Sequence, residues 1–272
     1  MNKIVKSVLA GSVGMAAVLF AANPALSQQQ LVKNIVLVHG AFADGSSWGK
    51  VIPILEARGF HVVAVQNPLT SLSDDVNATR RIIALQDGPV ILVGHSWGGA
   101  VITEAGDDPK VAGLVYVAAY MPDAGTSAND TSGPYGLTPG QKSIQVDGQH
   151  FARMSTEGIF NHFAQELPMP ERRLVLAVQG QTYGPMFDEK LTHAAWKSKP
   201  SWHVISMKDQ TLTPAMEEAG AKKSGGKAIP LQTCHVAMLQ EPEKVADVIT
   251  DAAKGAAAKQ TFSAVTVSSN NR

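Results

Sequence analysis

Residues 90–99 read Val90-Ile91-Leu92-Val93-Gly94-His95-Ser96-Trp97-Gly98-Gly99. The first four form an apolar run rich in β-branched side chains, too short for a helix and suited to a strand covered on both faces. The next residues cannot prolong it. A Gly-x-Ser-x-Gly string sets Ser96 between two residues without side chains, and Gly98-Gly99-Ala100 opens a helix that can lie close to the strand. Strand, sharp turn and helix in that order force the central residue into a strained backbone and lift its hydroxyl clear of the sheet edge. There an imidazole can take its proton. Ser96 is the candidate nucleophile.

Working outward, apolar runs alternate with helical spacing. Strands are expected at 35–39, 61–65, 90–94 and 111–118, and helices at 47–58, 73–86 and 97–105. The helix at 73–86 carries Asp74 and Asp75 in its first turn and Arg80 and Arg81 later, as the helix dipole favours. The pattern breaks over 122–195, where Gly, Pro, Met and aromatic residues scatter among short helical stretches such as 156–165. It resumes with strands at 202–207 and 227–232 and helices at 214–223 and 241–254. This predicts an α/β fold, a mostly parallel sheet flanked by helices, with one insertion after its fourth strand. Such an insertion forms a cap over the carboxyl edge of the sheet, where ligands bind. Residues 259–272 are polar and read as a loose tail.

The chain has 272 residues, 44% hydrophobic and 17% charged, with 23 basic and 23 acidic side chains. No basic cluster marks a nucleic-acid surface. The basic pairs Arg80-Arg81, Arg172-Arg173 and Lys222-Lys223 read as solvated helix faces. Lys3 and Lys6 precede an uncharged apolar stretch over 8–22, Asn23-Pro24 breaks it, and Ala25-Leu26-Ser27 forms a small-x-small site. Residues 1–27 read as a cleavable signal peptide and 28–258 as the folded domain. The stretch is shorter than the roughly 20 residues of a membrane span, so no stable membrane association is expected after cleavage. The expected location is periplasmic or secreted. Cys234 is the one cysteine, so no bridge forms within the chain. Its apolar flank reads as packing rather than a reactive thiol.

His235 follows the last strand and precedes the last helix, at the same sheet edge as Ser96, and is the leading base. Asp209, in the loop after the strand at 202–207, gives the chain order Ser, Asp, His. Asp123 is its rival. Oxyanion donors are expected from the amides of Trp97, directly after the serine, and Ala41, after His39-Gly40 at the end of the first strand. Phe42, Tyr120, Met121, Phe160 and Phe163 are candidate walls of an apolar pocket, with Trp97, Phe151, Met154, Met186 and Phe187 also considered. No group of Cys, His and acids has metal-ligand spacing, and no cofactor is called for.

The strings at 36–48, 66–70, 93–99 and 234–238 resemble the α/β-hydrolase fold family, in particular a small bacterial esterase branch similar to plant salicylate-esterase and hydroxynitrile-lyase-like proteins. The resemblance covers about residues 34–255. It implies a serine esterase acting on a small-molecule ester through an acyl-enzyme, with Ser96, Asp209 and His235 as triad and Ala41 and Trp97 as oxyanion donors. Other chemistry at the same triad (perhydrolysis, acyl transfer or cyanohydrin cleavage) and a non-catalytic binding protein on the same scaffold are the alternatives. Cyanohydrin-cleaving relatives place a lysine after the catalytic histidine and a threonine after the first-strand histidine. Here these positions are Val236 and Gly40, which point to hydrolysis.

Overall fold

A computed structural model describes residues 31–269, with side-chain surroundings through residue 257. The expected signal peptide lies outside the described residues.

Six parallel strands form the central sheet: β1 (Asn34–Val38), β2 (His61–Val65), β3 (Val90–His95), β4 (Val111–Val117), β8 (Ser201–Ser206) and β9 (Lys227–Leu231), in the order β2-β1-β3-β4-β8-β9. The apolar runs lie where such runs belong. Every residue of β1, β3, β4 and β8 is buried, whereas the edge strands β2 and β9 are partly exposed. Pro230 is accommodated on the β9 edge, where one side of the strand makes no ladder bonds.

Right-handed crossovers put α1 (Val51–Ala57) on one face and α2 (Leu72–Ala84), α3 (Gly98–Ala105) and α8 (Pro214–Ser224) on the other. Helix α10 (Pro242–Ser269) returns to pack against α1 and β4. The expected helix at 47–58 is in fact a 3-10 turn, Gly45–Trp48, followed by α1. The chain leaves β1 toward one edge of the sheet and β3 toward the other. That reversal opens a crevice beyond the carboxyl ends of β1 and β3, and the two loops with the oxyanion and nucleophile candidates border it.

The cap between β4 and β8 holds more strand than its composition suggests. It contains α4 (Ala128–Ser132), α5 (Pro139–Lys142), α6 (Thr156–Gly158), α7 (Met169–Val178) and an antiparallel sheet of β5 (Ile144–Val146), β6 (Phe151–Met154) and β7 (Thr182–Tyr183). Trp196 Nε1 donates to Pro122 O across the base of the cap at 2.9 Å. The last helix, after the short α9 (Ala237–Gln240), corrects the expectation of a loose tail: residues 259–269 are helical. Gly255 reads as a stop, but it lies inside the helix, where a β-carbon would stand 2.7 Å from the Trp202 ring, and the alanines after it prolong the helix at little cost. Arg172 is a second correction. Rather than lying solvated, it donates to Leu167 O (2.6 Å), Phe160 O (3.0 Å) and Gln165 O, closing the loop around them.

Candidate active site

Ser96 has φ +51°, the left-handed region that a β-carbon disfavours. The surrounding bonds hold it there. Its N–H donates to Val117 O (3.2 Å), and its carbonyl accepts from Gly99 N (3.0 Å) and Tyr120 N (3.1 Å). The two glycine positions that matter most are set by close approach. A β-carbon on Gly98 would stand 2.5 Å from Val38 O, so only glycine lets α3 start against the end of β1. One on Gly40 would stand 2.8 Å from Ser96 Cβ.

His235 is fully buried, and its Nδ1 lies 2.6 Å from Asp209 Oδ2. The other carboxylate oxygen, Oδ1, accepts from Thr211 N (2.7 Å) and Leu212 N (2.9 Å). A carboxylate so placed requires the proton on Nδ1 and leaves Nε2 as an acceptor. That Nε2 has no hydrogen-bond partner among the described residues, Ser96 included. The carbonyl of His235 is held by His95 Nε2 at 3.0 Å, and the two imidazole centroids are 4.7 Å apart. Burial holds the His95 ring far below the usual imidazole range, so it stays neutral beside His235. The rival acid is elsewhere: Asp123 pairs with Lys223 and, at 3.2 Å, with Lys197.

The amides of Ala41 and Trp97 donate no hydrogen bond among the described residues, although both residues are buried. Unused buried amides are uncommon. The neighbouring Phe42 N–H is taken by Thr182 Oγ1 (3.2 Å). His39 serves the loop. Its Nε2 accepts from Asn67 N (2.9 Å) and its Nδ1 donates to Gly40 O (2.8 Å).

Ser96 opens into a cavity of about 310 Å³. Of the candidate wall residues, Phe42, Tyr120 and Phe163 line it. Met121 does not. It lines a separate cavity beside α8 instead. Phe160 is also absent from the wall. It is partly buried between Ile159 and Phe163, the buried residues of that helical turn, and packs against the hydrophobic core. Leu137, Ile144, Val146, Phe187 and Leu212 complete the apolar wall. Met154 and Met186 are lid core, and Phe151 faces a groove on the far side of the cap.

Residues 35–248 match the model of the Alpha/beta hydrolase family. The chain belongs to that family. It is 26% identical over 250 residues to a pyrethroid hydrolase of Sphingobium wenxiniae, covering 81% of this chain and 87% of that one. It is 26% identical over 208 residues to methylesterase 8 of Arabidopsis thaliana, covering 69% and 76%. The solved structure of polyneuridine aldehyde esterase superposes with a TM-score of 0.71 at 18% identity, covering 80% of this chain and 98% of that one.

In this alpha/beta hydrolase the groups behind the site are the ones least visible in the sequence. The Trp97 indole turns away from the cavity and donates to Asp75 Oδ2 at 2.7 Å, while its ring packs on Phe187, centroid to centroid 5.1 Å. Asp75, read from the sequence as a dipole partner, is buried; its other oxygen accepts from Leu69 N at 2.8 Å. Burial pushes its carboxyl up to about 6. The Asp209 loop leans on the cap. Thr138 Oγ1 donates to Thr211 O (2.9 Å), Gly140 N to Gln210 O (2.8 Å) and Thr211 Oγ1 to His162 O (3.0 Å). Cys234 is buried, and burial raises its thiol further from ionisation.

Proposed function

We propose that the protein is a serine esterase. One observation carries the reading: a buried His235–Asp209 pair at 2.6 Å whose Nε2 is left unpartnered at the rim that also bears Ser96. Ser96 Oγ attacks the ester carbonyl while His235 Nε2 takes its proton. The carbonyl oxygen, now negative, receives the amides of Ala41 and Trp97. His235 returns the proton to the leaving alcohol, and Ser96 keeps the acyl group. Water, deprotonated by His235, then attacks the acyl-enzyme and releases the acid. Asp209 stays ionised throughout and holds the imidazolium. No step calls for a metal or an organic cofactor.

The names of two relatives, a methylesterase and a pyrethroid hydrolase, support ester hydrolysis. Val236 supports it over cyanohydrin cleavage, because a buried valine directly after His235 offers no cation for cyanide. The wall around Ser96 favours short or aromatic acyl groups. Export to the periplasm or beyond, directed by residues 1–27, is part of the same reading. The test is hydrolysis of aryl acetate and butyrate by the wild type and by Ser96→Ala. Turnover by the wild type and loss of several orders of magnitude in the variant are expected. A variant as active as the wild type would rule out Ser96 as nucleophile.

A further inference from the structure

A second acid lies behind Asp209. Glu217, in the first turn of α8, is 5% exposed, and its Oε2 accepts from Ser206 N at 2.9 Å. Ser206 ends β8, and its carbonyl accepts from Asp209 N at 3.0 Å, so Ser206 is bonded to both acids. The other oxygen, Oε1, is buried and receives no N–H or O–H from any described donor. The Glu217 carboxyl lies within side-chain hydrogen-bonding range of the Asp209 carboxyl. Asp209 Oδ2 accepts one bond, from His235, and so has an acceptor site to spare.

Two ionised carboxylates cannot share a buried contact, so one must hold a proton. Asp209 is already served by two amides and an imidazole N–H, all of which favour its anion. Glu217 has one amide. Burial and the Asp209 charge hold Glu217 well above the usual carboxylate range. The other ionisable neighbours do not reverse this. Glu218 on the same helix adds negative charge. His203 on β8, which shares a cavity wall with Glu217, is kept neutral by burial down to about 4. In that same wall Lys223 is bound to Asp123, and Asp130 adds a further acid.

We propose that Glu217 is a positioning residue for the site: as a neutral acid it donates a hydrogen bond to the Asp209 carboxylate and so fixes the angle at which Asp209 holds His235. The assignment rests on the esterase reading for its kinetic consequence but not for its protonation. Glutamine can reproduce both bonds, its oxygen accepting from Ser206 and its amide donating to Asp209. Leucine can make neither.

Infrared difference spectra of the full protein against Glu217→Gln at pH 7 read the proton directly. A neutral-acid carbonyl band present in the wild type and missing from the variant is expected. Loss of a carboxylate band instead overturns the proposal. In ester hydrolysis, Glu217→Gln should keep kcat within about threefold with an unmoved pH profile, whereas Glu217→Leu should lose about tenfold or more in kcat at unchanged KM. The acidic limb of the Leu variant should also move to higher pH, because a carboxylate with one donor fewer holds the imidazolium harder. A Gln variant as impaired as the Leu variant, or a Leu variant with wild-type kinetics, also overturns the proposal. If the Leu variant does not fold, the Gln profile and the infrared band decide. Fluorophosphonate labelling in the same samples separates the two readings. A labelled Ser96 with indifferent Glu217 variants defeats the positioning role alone. An unlabelled Ser96 defeats the esterase reading and leaves the infrared result standing.

Discussion

The indole of Trp97 donates to Asp75 Oδ2 at 2.7 Å, tying the residue after the elbow serine to the first turn of α2. This bond aims the side chain of Trp97 toward α2, while its amide donates no hydrogen bond among the described residues. Asp75 also sets a pH dependence, through its burial rather than through the indole bond, which pulls its carboxyl the other way. Asp75 is raised from 3.8 to about 6, so the folded state binds this proton more tightly than the unfolded chain. Its contribution is fully present below about pH 4 and is lost as pH rises through about 6. The difference is about 3 kcal/mol at most. Chemical denaturation at pH 4.5 and 7.5 should therefore show wild type losing stability relative to Asp75→Asn at the higher pH. A difference independent of pH would mean that Asp75 does not carry this proton.

Asp209→Asn keeps the shape of the loop but gives His235 Nδ1 a partner that no longer demands its proton. The imidazole can then turn its proton outward on Nε2 and lose its use as a base. A fall in kcat of about 10⁴ is expected, with little change in KM. Steady-state kinetics on an aryl acetate checks it. A loss below about tenfold would show that another acid orients the ring.

The sheet and the elbow could be read from the sequence, because strands buried on both faces must be apolar throughout, as 90–93 and 114–117 are. The glycines around Ser96 are likewise visible because backbone atoms approach where a side chain would be. Chain order favours Asp209 over Asp123; in the structure Asp209 pairs with His235 and Asp123 with two lysines. The cap was less legible. Its strands span two to four residues, too few to show an alternation. Leu137, Ile144 and Val146 reach the pocket only through the cap's tertiary arrangement. Asp75 and Glu217 look in sequence like ordinary first-turn acids, and only packing shows them to be buried.

Gly40 stands where a methyl group would meet Ser96 Cβ at 2.8 Å. Gly40→Ala should fold, displace the loop that carries the Ala41 amide, and lower kcat by about 10²-fold, the scale of one lost oxyanion donor. Matched melting curves and kcat values would check this. Unchanged kcat would show that the loop does not serve the reacting carbonyl.

A cavity of about 310 Å³ walled by Phe42, Tyr120, Phe163, Phe187 and Leu212 suits a short chain or a single ring. Aryl acetate and butyrate should be turned over at least about tenfold faster than aryl palmitate, measured as kcat/KM. Faster hydrolysis of the palmitate would place the acyl chain elsewhere.

The most direct measurement is the covalent map. The full protein treated with a fluorophosphonate and digested for mass spectrometry should carry the adduct on Ser96, and His235→Ala should slow its formation by several orders of magnitude. An adduct on Cys234 or another serine, or none on active protein, would contradict the account.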